Sequence, residues 1–128
     1  DLTHCLEKIT ADDLRHHQLH EHEIILIKTK NSLLEPNALF DKNFVYLDKA
    51  AAEFLAISKI KTVGIDYLGI ERNQPDHQTH TILFNAGIAI VEGLRLGLVS
   101  KEHYFFVCVP LLLQGLEAAP ARALLCLL

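Results

Sequence analysis

The chain has 128 residues, half of them hydrophobic, and carries a formal net charge of −4 from 12 basic and 16 acidic side chains. This apolar content excludes an intrinsically disordered chain, and the length predicts a single domain, residues 1–128, with a core of its own. Basic residues form no stripe and are not interleaved with aromatic ones, so we expect neither nucleic acid nor a membrane as a partner.

Three cysteines stand far apart in the sequence, at Cys5, Cys108 and Cys126. An odd number at wide spacing does not indicate a disulfide framework. Two of them lie in apolar runs, which is typical of buried, reduced thiols. We therefore expect a cytoplasmic protein. We also expect no signal peptide, and the sequence shows no apolar run of membrane-spanning length.

The first elements are a capped helix and an apolar strand. Thr10 and Asp13 form a capping-box pattern that predicts a helix reaching about His20. The uninterrupted run Ile24–Ile27 predicts a strand that is covered on both faces.

An irregular segment, residues 33–45, follows this strand, because Pro36 and Asn37 break any periodic pattern. Its two large apolar side chains, Phe40 and Phe44, either anchor the segment to the body of the protein or line a pocket.

The middle of the chain alternates helices with strands. An amphipathic helix is predicted for Leu47–Ser58, a strand for Thr62–Ile65, and a short helix from about His77 to Ala86. Gly87 stands where that helix should end, and Ile88–Val91 predicts the next strand.

Two further strands, Tyr104–Val109 and Ala121–Leu128, complete the chain. The last is so apolar that we expect it to be inserted in the sheet. The element order predicts an α/β fold with a parallel or mixed sheet covered by helices.

The most specific pair of candidate metal ligands is His80 and Glu92, which stand 12 positions apart. Imidazole and carboxylate groups are standard ligands of zinc and manganese, and Glu92 directly follows an apolar strand. A metal bound there could activate water and polarise a carbonyl group. Both residue types are also common on surfaces, so the spacing alone leaves the alternative of two solvated side chains open.

Other polar residues allow two interpretations each. Asp66 ends a strand, where it could be a functional carboxylate or could form the following turn. Arg122 could bind a carboxylate ligand or pair with an acidic residue of the fold. His16 and His20 have the i, i+4 spacing of a metal-binding helix face, but a polar helix end has the same composition.

An ordered series of segments resembles the family described as "Putative cyclase", which includes bacterial kynurenine formamidase. The segments are Thr62-Val63-Gly64-Ile65-Asp66, Asp76 to His80, Ile88-Ala89-Ile90-Val91-Glu92-Gly93-Leu94, Val109-Pro110-Leu111 and Ala119-Pro120-Ala121-Arg122-Ala123.

The resemblance implies a swivelling β/β/α-type mixed sheet and a metal-dependent hydrolase of amides or cyclic amides, of the arylformamidase or cyclase type. It implies that His80 and Glu92 are ligands of zinc or manganese. Asp66 and Arg122 would be supporting or substrate-side residues. The implied partners are a small-molecule amide substrate and further copies of the chain in a homo-oligomer.

One departure from the family pattern concerns its His-Xaa-Gly-Thr-His-Xaa-Asp-Xaa-Pro-Xaa-His signature, which this sequence lacks. The signature supplies further metal ligands and a catalytic histidine, so the catalytic residues of this chain stay unassigned. We expect the chain to correspond to the C-terminal portion of the family fold, an incomplete version of it. The alternative function is that of a catalytically inactive, truncated relative serving as a binding or assembly domain.

Overall fold

The structure is a computed structural model that describes residues 1–35, 37–100 and 103–127. Its contacts divide the chain into two compact units, Asp1–Leu98 and Val99–Leu128. The single domain expected for residues 1–128 stays a prediction. Within the described ranges, every helix is too short or too polar to cross a membrane.

In its described residues, the first unit contains three α-helices and five short strands. In chain order they are β1 (Lys8–Ile9), α1 (Ala11–Arg15), β2 (Ile24–Ile27), β3 (Tyr46–Leu47), α2 (Lys49–Ile57), β4 (Thr62–Ile65), α3 (Gln78–Asn85) and β5 (Ala89–Val91), with 3-10 turns at Lys30–Leu33 and Pro75–His77.

The sheet that positions the site is parallel, with β4 between β2 and β5. Every residue of β4 is buried. A Cβ atom on Gly64 would come within 2.6 Å of Leu94 and 2.7 Å of Leu26, so glycine lets both leucines close over the middle of the strand. The chain leaving β5 can therefore fold back across the end of β4.

Two helices complete the core. Asp48 accepts a hydrogen bond from the Ala51 amide at the start of α2, and α2 buries Ala52 and Leu55. Helix α3 packs against α2 and buries Leu83. The predicted α/β fold with parallel and antiparallel strands is confirmed.

Several local predictions require correction. Helix α1 ends at Arg15 rather than near His20, since its short apolar face has only Ala11 and Leu14 to bury. Strand β2 lies at one edge of its sheet, so only Ile27 is buried and the expected cover on both faces is wrong. The β1–β3 pair was not predicted, because two-residue strands carry no periodic signal.

Phe44 and Phe40 each take one of the two roles that the sequence left open, anchoring the segment and lining a pocket. Phe44 is buried and stacks on Tyr67, with ring centroids 4.5 Å apart. Phe40 is largely exposed and lines a cleft that also includes Tyr67 and Gly93.

The second unit is an antiparallel hairpin of β6 (Tyr104–Pro110) and β7 (Ala121–Leu127). In the described residues β7 pairs with β6 and not with the parallel sheet, so the expected insertion of the last strand is wrong. The predicted end of this strand, Leu128, lies outside the described residues. The register places Arg122 opposite Val109.

Asp66 directly follows β4, and its side chain holds the turn after β2. The Thr29 amide and the Ser32 hydroxyl donate to its Oδ2 over 2.7 and 2.6 Å, and the Thr29 hydroxyl donates to Oδ1 over 2.9 Å. Asp66 is 2% exposed, so these bonds replace water completely. Its carboxylate therefore fastens the ends of β2 and β4 to each other.

We predict that Asp66→Asn lowers the free energy of unfolding by about 3 kcal/mol, because an amide NH₂ group would face buried donors that now point at a carboxylate. Urea denaturation measures this loss. Glu53→Ala is the control, since Glu53 forms an exposed ion pair with Lys49 and its removal should change stability by less than about 0.5 kcal/mol. Equal stability of the two variants would contradict the role assigned to Asp66.

Candidate metal centre

Helix α3 begins without a local cap, and a distant carboxylate takes that place. Its N-cap residue, His77, has a left-handed backbone with φ of 47° and makes no side-chain capping bond. Instead Glu71 Oε2 accepts the amide hydrogens of Thr79 over 2.8 Å and His80 over 3.3 Å. The negative charge of Glu71 at this end is also attracted to the positive pole of the helix dipole. Glu71 thus sets where the helix starts.

The other oxygen of Glu71 contacts two imidazole rings. Oε1 lies 3.1 Å from His80 Nδ1 and 2.8 Å from His77 Nδ1. The Glu71 side chain is 6% exposed, whereas that of His77 is 85% exposed. A carboxylate can only accept, so we assign the ring proton of neutral His80 to Nδ1. This leaves the lone pair on Nε2, and a histidine in this tautomer can bind a metal through Nε2.

The Glu71 carboxyl is ionised in this setting. Burial raises its pKa, but hydrogen bonds from the His80 and His77 side chains and from the His80 amide outweigh that effect, so the pKa lies below its usual value. The carboxylate is therefore available to hold both the helix and the ring.

Glu92 directly follows β5, and the backbone around it is fixed. The Gly93 amide donates to the Tyr67 carbonyl over 2.7 Å. The Ile70 amide donates to Glu92 Oε1 over 2.7 Å, which orients the carboxylate. Oε1 then lies 3.4 Å from His80 Nε2. The structure therefore brings together the two residues that the sequence singled out.

The pair fits one edge of a metal's coordination shell. Zinc bonds to nitrogen and oxygen of about 2.1 Å, at a tetrahedral angle, would separate the two ligand atoms by roughly 3.4 Å. The observed separation of Nε2 and Oε1 is 3.4 Å. The side chains of His80 and Glu92 are 31% and 33% exposed, so an ion and its waters could reach them. Glu71, His77 and His80 also place one ligand atom each within 4.8 Å of one another.

The remaining predicted residues lie elsewhere. Asp66 directs both carboxylate oxygens at residues 29–32, although it also borders the cleft near Gly93. Arg122 is exposed on β7, in the other unit. Their supporting or substrate-side roles stay predictions.

The histidine-rich segment does not form a helix face. Because α1 ends at Arg15, His16 and His20 are not one helical turn apart. Both are exposed, and among the described residues they join no group of three potential metal ligands. The i, i+4 interpretation of this pair is therefore wrong.

Glu71 was missed by the sequence reasoning. It lies nine positions before His80, in a polar loop with no periodic pattern. The sequence carries no signal for it: Asp76 stands before the predicted helix near His77 and is a standard cap residue, so nothing in the sequence calls for a distant acceptor.

A known family matches the first part of this chain. The family described as "Putative cyclase" matches residues 2–72, more than half of the chain. The chain belongs to this family. The resemblance predicted from the sequence is thereby confirmed, although the matched segment ends before His80 and Glu92.

Relatives of the cyclase family agree with this assignment. Cyclase-like protein 3 of Oryza sativa subsp. japonica is 35% identical over 67% of this chain and 33% of its own length. Kynurenine formamidase of Geobacillus thermodenitrificans (strain NG80-2) is 30% identical over 93% of this chain and 56% of its own length.

Two solved structures are also similar. A potential metal-dependent hydrolase with cyclase activity has a TM-score of 0.93 and 49% identity, covering 98% of this chain and 61% of that one. A predicted metal-dependent hydrolase from Bacillus stearothermophilus gives the same score and identity, covering 60% of its chain. The present chain thus spans between about one third and three fifths of these cyclase-family relatives.

We predict that Glu71→Gln weakens the binding of a divalent metal at His80 by about 10- to 100-fold. The amide oxygen can still accept from the amides of α3, but its NH₂ group would donate to His80 Nδ1. The ring proton then moves to Nε2, which faces Glu92 and can no longer bind metal. Calorimetric titration measures the affinity, and imidazole ¹⁵N chemical shifts report the tautomer.

His77→Ala is the matched control for this substitution. It removes the exposed ring on the same Glu71 oxygen but leaves the contact with His80 in place. We expect a change in affinity of less than about threefold, since exposed pairs contribute little. If both variants bind metal equally well, Glu71 does not orient His80.

Proposed function

We propose that the chain is part of a metal-dependent hydrolase that acts on an amide or cyclic amide, of the arylformamidase or cyclase type. The observation that supports this most directly is the opposed pair of His80 Nε2 and Glu92 Oε1, 3.4 Å apart and each fixed by another group. Zinc and manganese are the ions that suit this donor pair.

A divalent ion at this position would lower the pKa of bound water and polarise the substrate carbonyl. The chain's own residues prepare the site. Glu71 keeps the His80 proton on Nδ1, and the Ile70 amide holds the Glu92 carboxylate in place. Glu71 is itself anchored by two amides of α3, so the geometry would exist before the substrate arrives.

A cleft that reaches Gly93 is a candidate place for an apolar part of the substrate. Gly93, the residue after Glu92, lines it together with Phe40, Tyr67, Leu68 and Arg95. The rings of Phe40 and Tyr67 lie 5.5 Å apart, which gives one wall an aromatic surface. We propose that an aryl or alkyl group of the amide binds here.

We predict that His80→Ala and Glu92→Gln each reduce retained zinc or manganese and lower hydrolysis of N-formylkynurenine by at least about 100-fold. Each substitution removes one of the two ligand atoms. Elemental analysis after dialysis measures the metal, and absorbance of the released amine measures the reaction. The measurement uses both the 128-residue chain and a longer protein that contains it.

His16→Ala is the control. His16 is exposed, directly follows α1 and is far from His80 and Glu92 in sequence. It should leave metal content and rate unchanged. Unchanged metal content in His80→Ala would contradict the site. Metal retention without hydrolysis of any amide would favour the alternative, an inactive relative that acts as a binding or assembly domain.

Self-association and a cytoplasmic location belong to the same proposal. Phe105, Val109, Leu124 and Leu127 of the hairpin are more than half exposed. A two-stranded hairpin is marginally stable unless it packs against another surface, so a second copy of the chain is a suitable partner. The three cysteines form no disulfide, which is consistent with a cytoplasmic location. Cys126 is exposed and Cys108 is only partly buried, so the expected burial of these two thiols is wrong.

We predict that the 128-residue chain elutes as a dimer or larger oligomer, measured by light scattering after size-exclusion chromatography. Phe105→Ser and Leu124→Ser together should shift it toward monomer, because they remove apolar area from both strands. The control is Lys49→Ser, an exposed change on α2. A monomeric unsubstituted chain at all concentrations would contradict the proposal.

A further inference from the structure

A second group of potential ligands lies near the start of the chain, apart from the His80 and Glu92 pair. His4 and Cys5 occupy a turn before β1, and Asp13 lies in the first turn of α1. One atom of each, the ring nitrogen, the sulfur and a carboxylate oxygen, lies within 4.8 Å of the other two. Cys5 packs in the hydrophobic core, whereas the His4 side chain is 69% exposed.

The two oxygens of Asp13 face different partners. Oδ2 accepts the Thr10 amide over 2.7 Å and the Thr10 hydroxyl over 2.6 Å. Oδ1 instead lies 3.9 Å from His4 Nε2. Thr10 therefore orients the carboxylate and leaves one oxygen directed at the turn. Carboxylates that bind metals are commonly oriented by hydrogen-bond partners of this kind.

The Cys5 thiol is protonated in the absence of metal. Burial raises its pKa, and so does the nearby Asp13 carboxylate, which accepts a hydrogen bond from it. A cation at this point would reverse that balance, because a bound thiolate is favoured next to a divalent charge. The thiol proton would then pass to solvent on metal binding.

We propose that His4 Nε2, Cys5 Sγ and Asp13 Oδ1 form a second metal site that binds Zn²⁺. Nitrogen, sulfur and carboxylate oxygen are the three donor types that zinc uses in proteins. The exposed side of His4 leaves a fourth position for water. The ion would tie the turn at residues 2–5 to the start of α1. This site is independent of the proposed hydrolase function, since it shares no residue with the His80 and Glu92 pair.

The nitrogen–oxygen pair of this site requires only a small adjustment. Zinc bonds of about 2.1 Å at a tetrahedral angle separate nitrogen and oxygen ligands by roughly 3.4 Å. His4 Nε2 and Asp13 Oδ1 are 3.9 Å apart, so the exposed ring would move inward by about half an ångström. Thr10 holds Asp13, and Cys5 is packed in the core.

The test uses Co²⁺ as a probe that replaces zinc and reports its ligands. In the Cys108→Ala/Cys126→Ala protein, Cys5 is the single thiol among the three cysteines. We expect a near-ultraviolet sulfur-to-cobalt absorption band that disappears when Zn²⁺ is added. His4→Ala should weaken the cobalt affinity at least about tenfold, and Cys5→Ser should abolish the band.

The controls separate this site from other histidines and from loss of folding. His80→Ala should leave the band unchanged, as should His16→Ala. Because substitution of the buried Cys5 disturbs the core, His4→Ala on the exposed side provides the variant that keeps the fold, checked by circular dichroism. Absence of the band, or an equal affinity in His4→Ala, would overturn the proposal.

Discussion

The Glu71 carboxylate is the interaction on which the candidate centre depends. One of its oxygens binds the first amides of α3, and the other contacts the Nδ1 atoms of His80 and His77. Helix position and ring orientation are therefore set by a single buried charge. Without it, α3 would lose its only described cap and His80 would be free to rotate or to exchange tautomers. The candidate ligands His80 and Glu92 have a defined geometry because Glu71 holds both the His80 ring and the start of α3.

Carboxylates at the ends of neighbouring parallel strands illustrate how surroundings decide a role. Asp66 follows β4 and Glu92 follows β5, so both lie at the edge where sites of parallel sheets form. Asp66 receives hydrogen bonds from Thr29 and Ser32 and is buried, so its binding capacity is used within the fold. Glu92 receives one amide hydrogen bond, from Ile70, and a third of its side chain reaches solvent. The two carboxylates, each directly after a strand, therefore differ in how available they are to bind a ligand.

The sequence predicted the elements whose signals are local. The boundaries of β4 and α3, and the helix end at Gly87 with φ of 72°, follow from apolar periodicity and glycine chemistry. His80 and Glu92 were singled out by residue type and position, and the structure places their Nε2 and Oε1 atoms 3.4 Å apart. Their role as metal ligands, which the family resemblance implies, stays a prediction. Glu71 was missed because its partners depend on how a polar loop folds back, which periodicity does not encode. The pairing of β7 was mistaken for the same reason: its apolar character indicates a strand but not the neighbour it selects.

The two candidate centres of the chain would select ions by different means. His80 and Glu92 offer nitrogen and oxygen, which accommodate zinc and manganese alike. The group at His4 and Cys5 includes a sulfur, and thiolates favour softer ions such as zinc over manganese. A solution containing both metals could therefore load manganese only at His80, whereas zinc would compete at both positions. The sulfur donor thus distinguishes the two centres on physical grounds, even where their total metal content is the same.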